Sequence, residues 1–143
     1  MADFDDDQMM GPDLDIVNPP LWEIGHMAWF QEKWVLRHAG HEPMIREDVD
    51  ALYDSIAIAH DTRWSLPLPS LQETLKYLDE VRDRTLEQLE KDPSEETCYH
   101  TLYTVYHEDM HTEAFTYTRQ THGYPPPRLS VVDGEAAWSR DGG

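Results

Sequence analysis

Apolar residues in this chain recur at helical rather than alternating spacing, and proline, glycine and Asp-Pro breaks divide them into segments. Asn18-Pro19-Pro20 opens the first clear segment, since proline fits a helix's first turn, where its missing N–H costs nothing. From about Pro20 to His38 the chain is apolar nearly all round, with Trp22, Ile24, Met27, Trp29, Phe30, Trp34, Val35 and Leu36. A helix without a polar face belongs in the middle of a bundle, and Gly40 stops this one. A shorter segment, Glu47 to about Ala59, places Val49, Leu52, Tyr53 and Ile56 at roughly helical spacing.

His60 to Pro69 reads as a loop held extended by its prolines. Ser70-Leu-Gln-Glu73 is a capping box opening a long helix to about Lys91, with Leu71, Leu75, Leu78, Val81, Leu86 and Leu89 as its apolar stripe. Asp92-Pro93-Ser94 breaks it, and a last helix runs from about Ser94 or Thr97 to His122. No segment alternates like a strand, and no repeat is present. The pattern predicts an all-α helical bundle over residues 18–127, an irregular acidic arm over 1–17 and a linker-like tail over 128–143.

Composition narrows the function classes. A chain of 143 residues with 39% hydrophobic residues and five tryptophans can bury one core. Its formal charge of −18 repels phosphate backbones, which argues against nucleic acid as a partner. Asp3, Asp5, Asp6, Asp7, Asp13 and Asp15 concentrate charge in the arm, without the glycine and closing glutamate of a calcium loop. The single cysteine, Cys98, excludes an internal disulfide and reads as a small residue near a helix start rather than a nucleophile. With no signal-like start and no apolar run of bilayer length, the expectation is a cytoplasmic protein without membrane attachment.

The chemistry concentrates in Tyr106-His107-Glu108-Asp109-Met110-His111-Thr112-Glu113. Histidines four apart on a helix stack on one face, so His107 and His111 can reach one ion. A third, His26, sits in a strongly apolar helix where it needs a partner, and a bundle lets ligands from separate helices converge. Three imidazoles leave coordination positions open. Glu108 and Glu113 are candidate acceptors for the imidazole N–H groups. His107-Glu108-x-x-His111 formally matches a zinc-protease motif, but Ala114 and Tyr117 stand where a metzincin needs glycine and histidine. Glu135, at the distance of a gluzincin's third ligand, falls in the tail. Ordinary core histidines satisfied by hydrogen bonds are the plain alternative for the pair. His38, His41, His60, His100 and His122 lack comparable spacing and read as surface or packing residues.

Asn18-Pro-Pro-Leu-Trp-Glu-Ile-Gly-His26-Met-Ala-Trp-Phe-Gln-Glu32, together with His107-Glu-Asp-Met-His111-Thr-Glu113, resembles the DinB-like domain of the ergothioneine sulfoxide synthase family over about residues 12–127. The resemblance implies a DinB-like bundle with Fe(II) held by His26, His107 and His111, Zn or Ni being substitutes. It implies an O₂-dependent step joining sulfur or selenium to a histidine betaine (hercynine), with a thiol or a selenosugar as donor. Family members carry a further helix before the Pro-Pro-Leu-Trp element, so the bundle is expected to lack its first helix. They also carry a formylglycine-generating-enzyme-like domain after the bundle, so a domain or subunit of that kind is the expected partner for turnover. The ergothioneine branch has two arginines in the loop before the long helix; the matching positions here hold His60 and Arg63, leaving Arg63 as the anchor for an anionic donor group. Met110 stands where that branch has a glutamine, which with His60 points toward the selenoneine branch, or an uncharacterised one, over the γ-glutamylcysteine users. Two other readings stand beside this one: a non-enzymatic divalent-metal module, with a homodimer covering the bare face, and a metal-dependent thiol transferase.

Overall fold

A computed structural model describes residues 4–126. The elements in chain order are α1 (Asp6–Met10), α2 (Pro20–Gln31), a π-helical continuation of α2 (Glu32–Ala39), α3 (Val49–Tyr53), a 3₁₀ segment (His60–Ser65), α4 (Leu71–Lys91) and α5 (Glu95–His122). No strand occurs among the described residues, and the all-α expectation holds. No described helix is long and apolar enough to cross a membrane. The expected tail over 128–143, with Glu135, lies outside the described residues.

Three long rods make the bundle, and α2 with its π continuation is the central one, packed against both α4 and α5. Its apolar circumference is the reason: Trp22, Ile24, Ala28, Trp29, Val35 and Leu36 are all buried. Val49, Leu52 and Tyr53 of α3 close one end of this core together with Tyr77 and Val81 of α4. Ile56, expected to join them, is 95% exposed, because the helix stops at Tyr53 and the chain turns outward. The loop expected between His60 and Pro69 contains a 3₁₀ segment over its first six residues.

The stripe on α4 is set differently from the sequence reading. Its capping box forms as expected, Ser70 with Glu73. Its buried face, however, is Thr74, Tyr77, Val81, Thr85 and Gln88, while Leu75 and Leu86 are exposed. The two faces are neighbours around the helix; Thr74, Thr85 and Gln88 are buried by fit, and Tyr77 has a specific partner. The Tyr77 hydroxyl donates to Glu32, a fully buried carboxylate on the π segment that also accepts from the Ile45 N–H at 3.1 Å.

The acidic arm, expected to be irregular, holds a short helix with its own capping box, Asp5 with Gln8. Met9 is buried against Leu21 and Ile24, and Phe4 packs edge-on to Tyr124 beneath the Arg119 guanidinium. The Trp64 indole donates to the Met10 carbonyl at 3.1 Å, and the His60 ring bonds the Val17 carbonyl at 2.7 Å. Apolar residues hidden between aspartates therefore tie the arm to the bundle.

Candidate metal centre

α2 and α5 run antiparallel and meet along a seam of rings. His26, Phe30, Trp34 and His38 project from one rod, and His100, Tyr103, His107 and His111 from the other. Successive contacts climb the seam from His26–His111 through Phe30–His107, Phe30–Tyr103 and Trp34–His100 to His38–His100. Residues four apart overshoot a full turn of α-helix by about 40° at 3.6 residues per turn. A π turn is wider, so the same step falls short of a turn and the drift reverses. Switching to π geometry at Glu32 thereby keeps all four rings facing α5.

At the inner end of the seam, His26, His107 and His111 bring one ring nitrogen each to within 4.8 Å of the others. Ring centroids are 5.1 Å apart for His26–His107 and His26–His111, and 4.5 Å for His107–His111. His26 and His111 are buried, and His107 is half-buried and forms the open side. Trp22 stacks on His26 at 4.7 Å, and Phe30 lies flat on His107 at 3.6 Å, so ring walls limit both rotamers.

The backbone selects the His26 tautomer. Its Nδ1–H donates to the Tyr53 carbonyl at 2.8 Å, which leaves the Nε2 lone pair for a ligand. Tyr53 ends α3, and the last carbonyls of a helix have no partner within it. Leu52 uses the same freedom to accept from the Trp22 indole at 2.7 Å. Gly25 permits the close approach: a Cβ there would sit 2.3 Å from the Tyr53 ring. Burial holds the His26 ring well below the usual imidazole range, at about 4, the Tyr53 bond partly opposing it. His107 is lowered further, to about 3, by burial and by its two histidine neighbours. Both rings are therefore neutral, the form that ligates.

His111 has neither ring nitrogen hydrogen-bonded, although both are buried. Glu23 stands beside it, with Oε1 3.6 Å from Nδ1. That carboxylate is 2% exposed and accepts from the Asn18 side-chain amide at 3.1 Å. The Asn18 oxygen in turn accepts from Arg63. Glu108 and Glu113, the acceptors expected from sequence, are both exposed on α5, and the carboxylate beside the imidazoles is Glu23. Its signal was a lone glutamate inside an otherwise apolar helix.

Arg63, expected to anchor a substrate anion, is 8% exposed and already engaged. Besides Asn18, it reaches the Ser55 and Ile58 carbonyls at 3.4 Å and lies 4.0 Å over the Trp22 ring. It fastens the loop after α3 to the wall of the site, and its Nε is buried without a hydrogen-bond partner. Cys98 has its thiol 3.7 Å from the Pro93 carbonyl, in keeping with a helix-start residue.

A helical bundle that turns three imidazoles from two antiparallel rods onto one point defines a class of metal-binding scaffold. The chain belongs to the DinB superfamily, whose sequence profile matches residues 1–115. It is similar to the hercynine oxygenase of Mycolicibacterium smegmatis, 25% identical over 128 residues covering 88% of this chain and 30% of that protein. It is also similar to the hercynine oxygenase of Mycobacterium tuberculosis, 27% identical over 115 residues covering 79% of this chain and 27% of that protein. A third, from Mycolicibacterium thermoresistibile, is 27% identical over 117 residues. The chain spans 26–30% of the length of these relatives.

Proposed function

We propose that His26, His107 and His111 hold a single Fe(II) ion, and that this chain is the metal-binding part of an O₂-dependent enzyme that joins sulfur or selenium to a histidine betaine. The observation that carries the reading is the pair of buried, unpartnered ring nitrogens on His111 beside two rings held neutral, a donor set that fits a transition metal. When bound, such an ion supplies a redox centre with positions open to dioxygen and to a thiol or selenosugar donor. The chain's residues do the rest. Tyr53 fixes the His26 tautomer, Glu23 places a carboxylate 3.6 Å from His111 Nδ1, and Trp22 and Phe30 exclude water from two sides. Similarity to hercynine oxygenases supports the substrate class.

A formylglycine-generating-enzyme-like domain or subunit completes the site in this proposal. Tyr103, Tyr106 and Met110 are exposed on α5 beside the open edge at His107, an apolar face suited to such cover. The test is to load the chain anaerobically with Fe(II), add nitric oxide as a dioxygen surrogate, and record electron paramagnetic resonance with and without a thiol donor. An iron-nitrosyl signal that the donor perturbs is expected. Absence of the signal in iron-loaded protein would contradict the reading.

A further inference from the structure

His38, Glu96 and His100 form a second cluster of ligating side chains, at the other end of the same seam. One donor atom from each lies within 4.8 Å of the other two. The construction repeats that of the inner trio. One residue from the α2–π rod faces two residues four apart on α5, about three helical turns away, or roughly 16 Å at 1.5 Å per residue. The ring geometry repeats as well. His38 meets His100 edge-on at 4.9 Å and 81°, as His26 meets His111 at 5.1 Å and 69°.

Trp34 takes the part that Phe30 plays at His107. It stacks on His100 at 5.5 Å and 10° and presents its edge to His38 at 5.4 Å and 72°. Nδ1 of His100 is buried without a hydrogen-bond partner, so the protein leaves that ring's donor capacity unclaimed. His38 and Glu96 are exposed, which makes this cluster open to solvent where the inner trio is enclosed. Histidine spacing alone had placed His38 and His100 among surface or packing residues, because the three donors come together only when the π segment and α5 pack.

We propose that His38, Glu96 and His100 form a peripheral divalent-cation site. Two imidazoles and a carboxylate are a donor set that Zn²⁺ accepts, with a remaining position open to water. Imidazole also disfavours Mg²⁺ and Ca²⁺, which prefer all-oxygen sites. An ion there clamps the end of the π segment to the first turns of α5, and so fixes the outer end of the seam whose inner end carries the histidine trio. The site does not depend on the iron reading.

Equilibrium dialysis of the full chain against Zn²⁺, with excess Mg²⁺ to saturate the acidic surface, tests it. The wild type is expected to hold two equivalents. H38A/H100A should hold one, H107A should hold one, and H38Q, changed at an exposed position that cannot unfold the core, should also lose one. Circular dichroism verifies that each variant is folded. Two equivalents retained by folded H38A/H100A would overturn the proposal, as would a single wild-type equivalent that H107A removes. A single equivalent that H38Q removes and H107A leaves would uphold the peripheral site and remove the inner one.

Discussion

At the scale of single residues, the inner site is a set of rings whose free nitrogens are chosen by what the other nitrogens touch. His26 is the clearest case, its Nδ1–H given to the Tyr53 carbonyl, whereas His111 has only Glu23 standing beside it without closing a hydrogen bond. Replacing Glu23 with glutamine should weaken divalent-metal binding by about 10–100-fold and leave the fold intact, as carboxylates behind ligating histidines generally do. Competition with a chromophoric chelator measures this; an unchanged affinity would remove Glu23 from the site. Gly25→Ala makes a different demand. Its new Cβ must displace the Tyr53 ring, at about 1–3 kcal/mol of stability. Urea unfolding reads that loss. The three histidines were legible in the sequence, since i,i+4 spacing and a lone histidine among tryptophans are local patterns. Glu23 showed only as a lone glutamate in an apolar helix, because the imidazole beside it lies on another helix.

At the scale of elements, α3 does more than its five residues suggest. Its terminal carbonyls hold Trp22 and His26, and its Asp50 accepts from the Trp29 indole at 2.7 Å and from both Arg37 nitrogens at 2.6 and 2.9 Å. Arg37 first, then Trp29, holds the Asp50 carboxyl down to about 2, against burial. Because the folded value lies below the unfolded one, the Asp50 contribution is complete above about pH 3.8. It is lost as pH falls from there toward 2. Asp50→Asn should therefore destabilise the wild-type fold near neutrality and flatten its stability profile between pH 4 and 2, measured by chemical unfolding at a series of pH values. An unaltered profile would show that Asp50 does not clamp α3 to the central rod. The helical rods themselves were readable from periodicity and caps. The buried face of α4 was not, because Thr74, Thr85 and Gln88 are buried by fit against the central rod rather than by apolar character. The change to π geometry at Glu32 has no mark in the local composition that we can name.

At the scale of the whole molecule, the 143-residue chain carries a formal charge of −18. Self-repulsion opposes the compact state, and salt screens it over about 10 Å at 0.1 M ionic strength. The melting temperature should rise as sodium chloride is added. A fall would mean that the surface ion pairs, such as Arg82 with Asp79 and Asp83, matter more than the net charge. The exposed aromatic face of α5 bears on the same scale: Tyr106 is 70% exposed and Met110 53%, next to a site whose relatives are several times longer than this chain. The all-α class followed from hydrophobic spacing alone, whereas the packing of the acidic arm depended on Phe4 and Met9, two apolar residues hidden in a run of aspartates.

The most direct test of the central claim is the iron content of the anaerobically reconstituted chain, with H26A, H107A and H38Q prepared in parallel and checked for folding. The inner trio predicts one Fe(II) retained by the wild type and by H38Q and lost from H26A and H107A. One iron retained by folded H26A, or none held by the wild type, would contradict it.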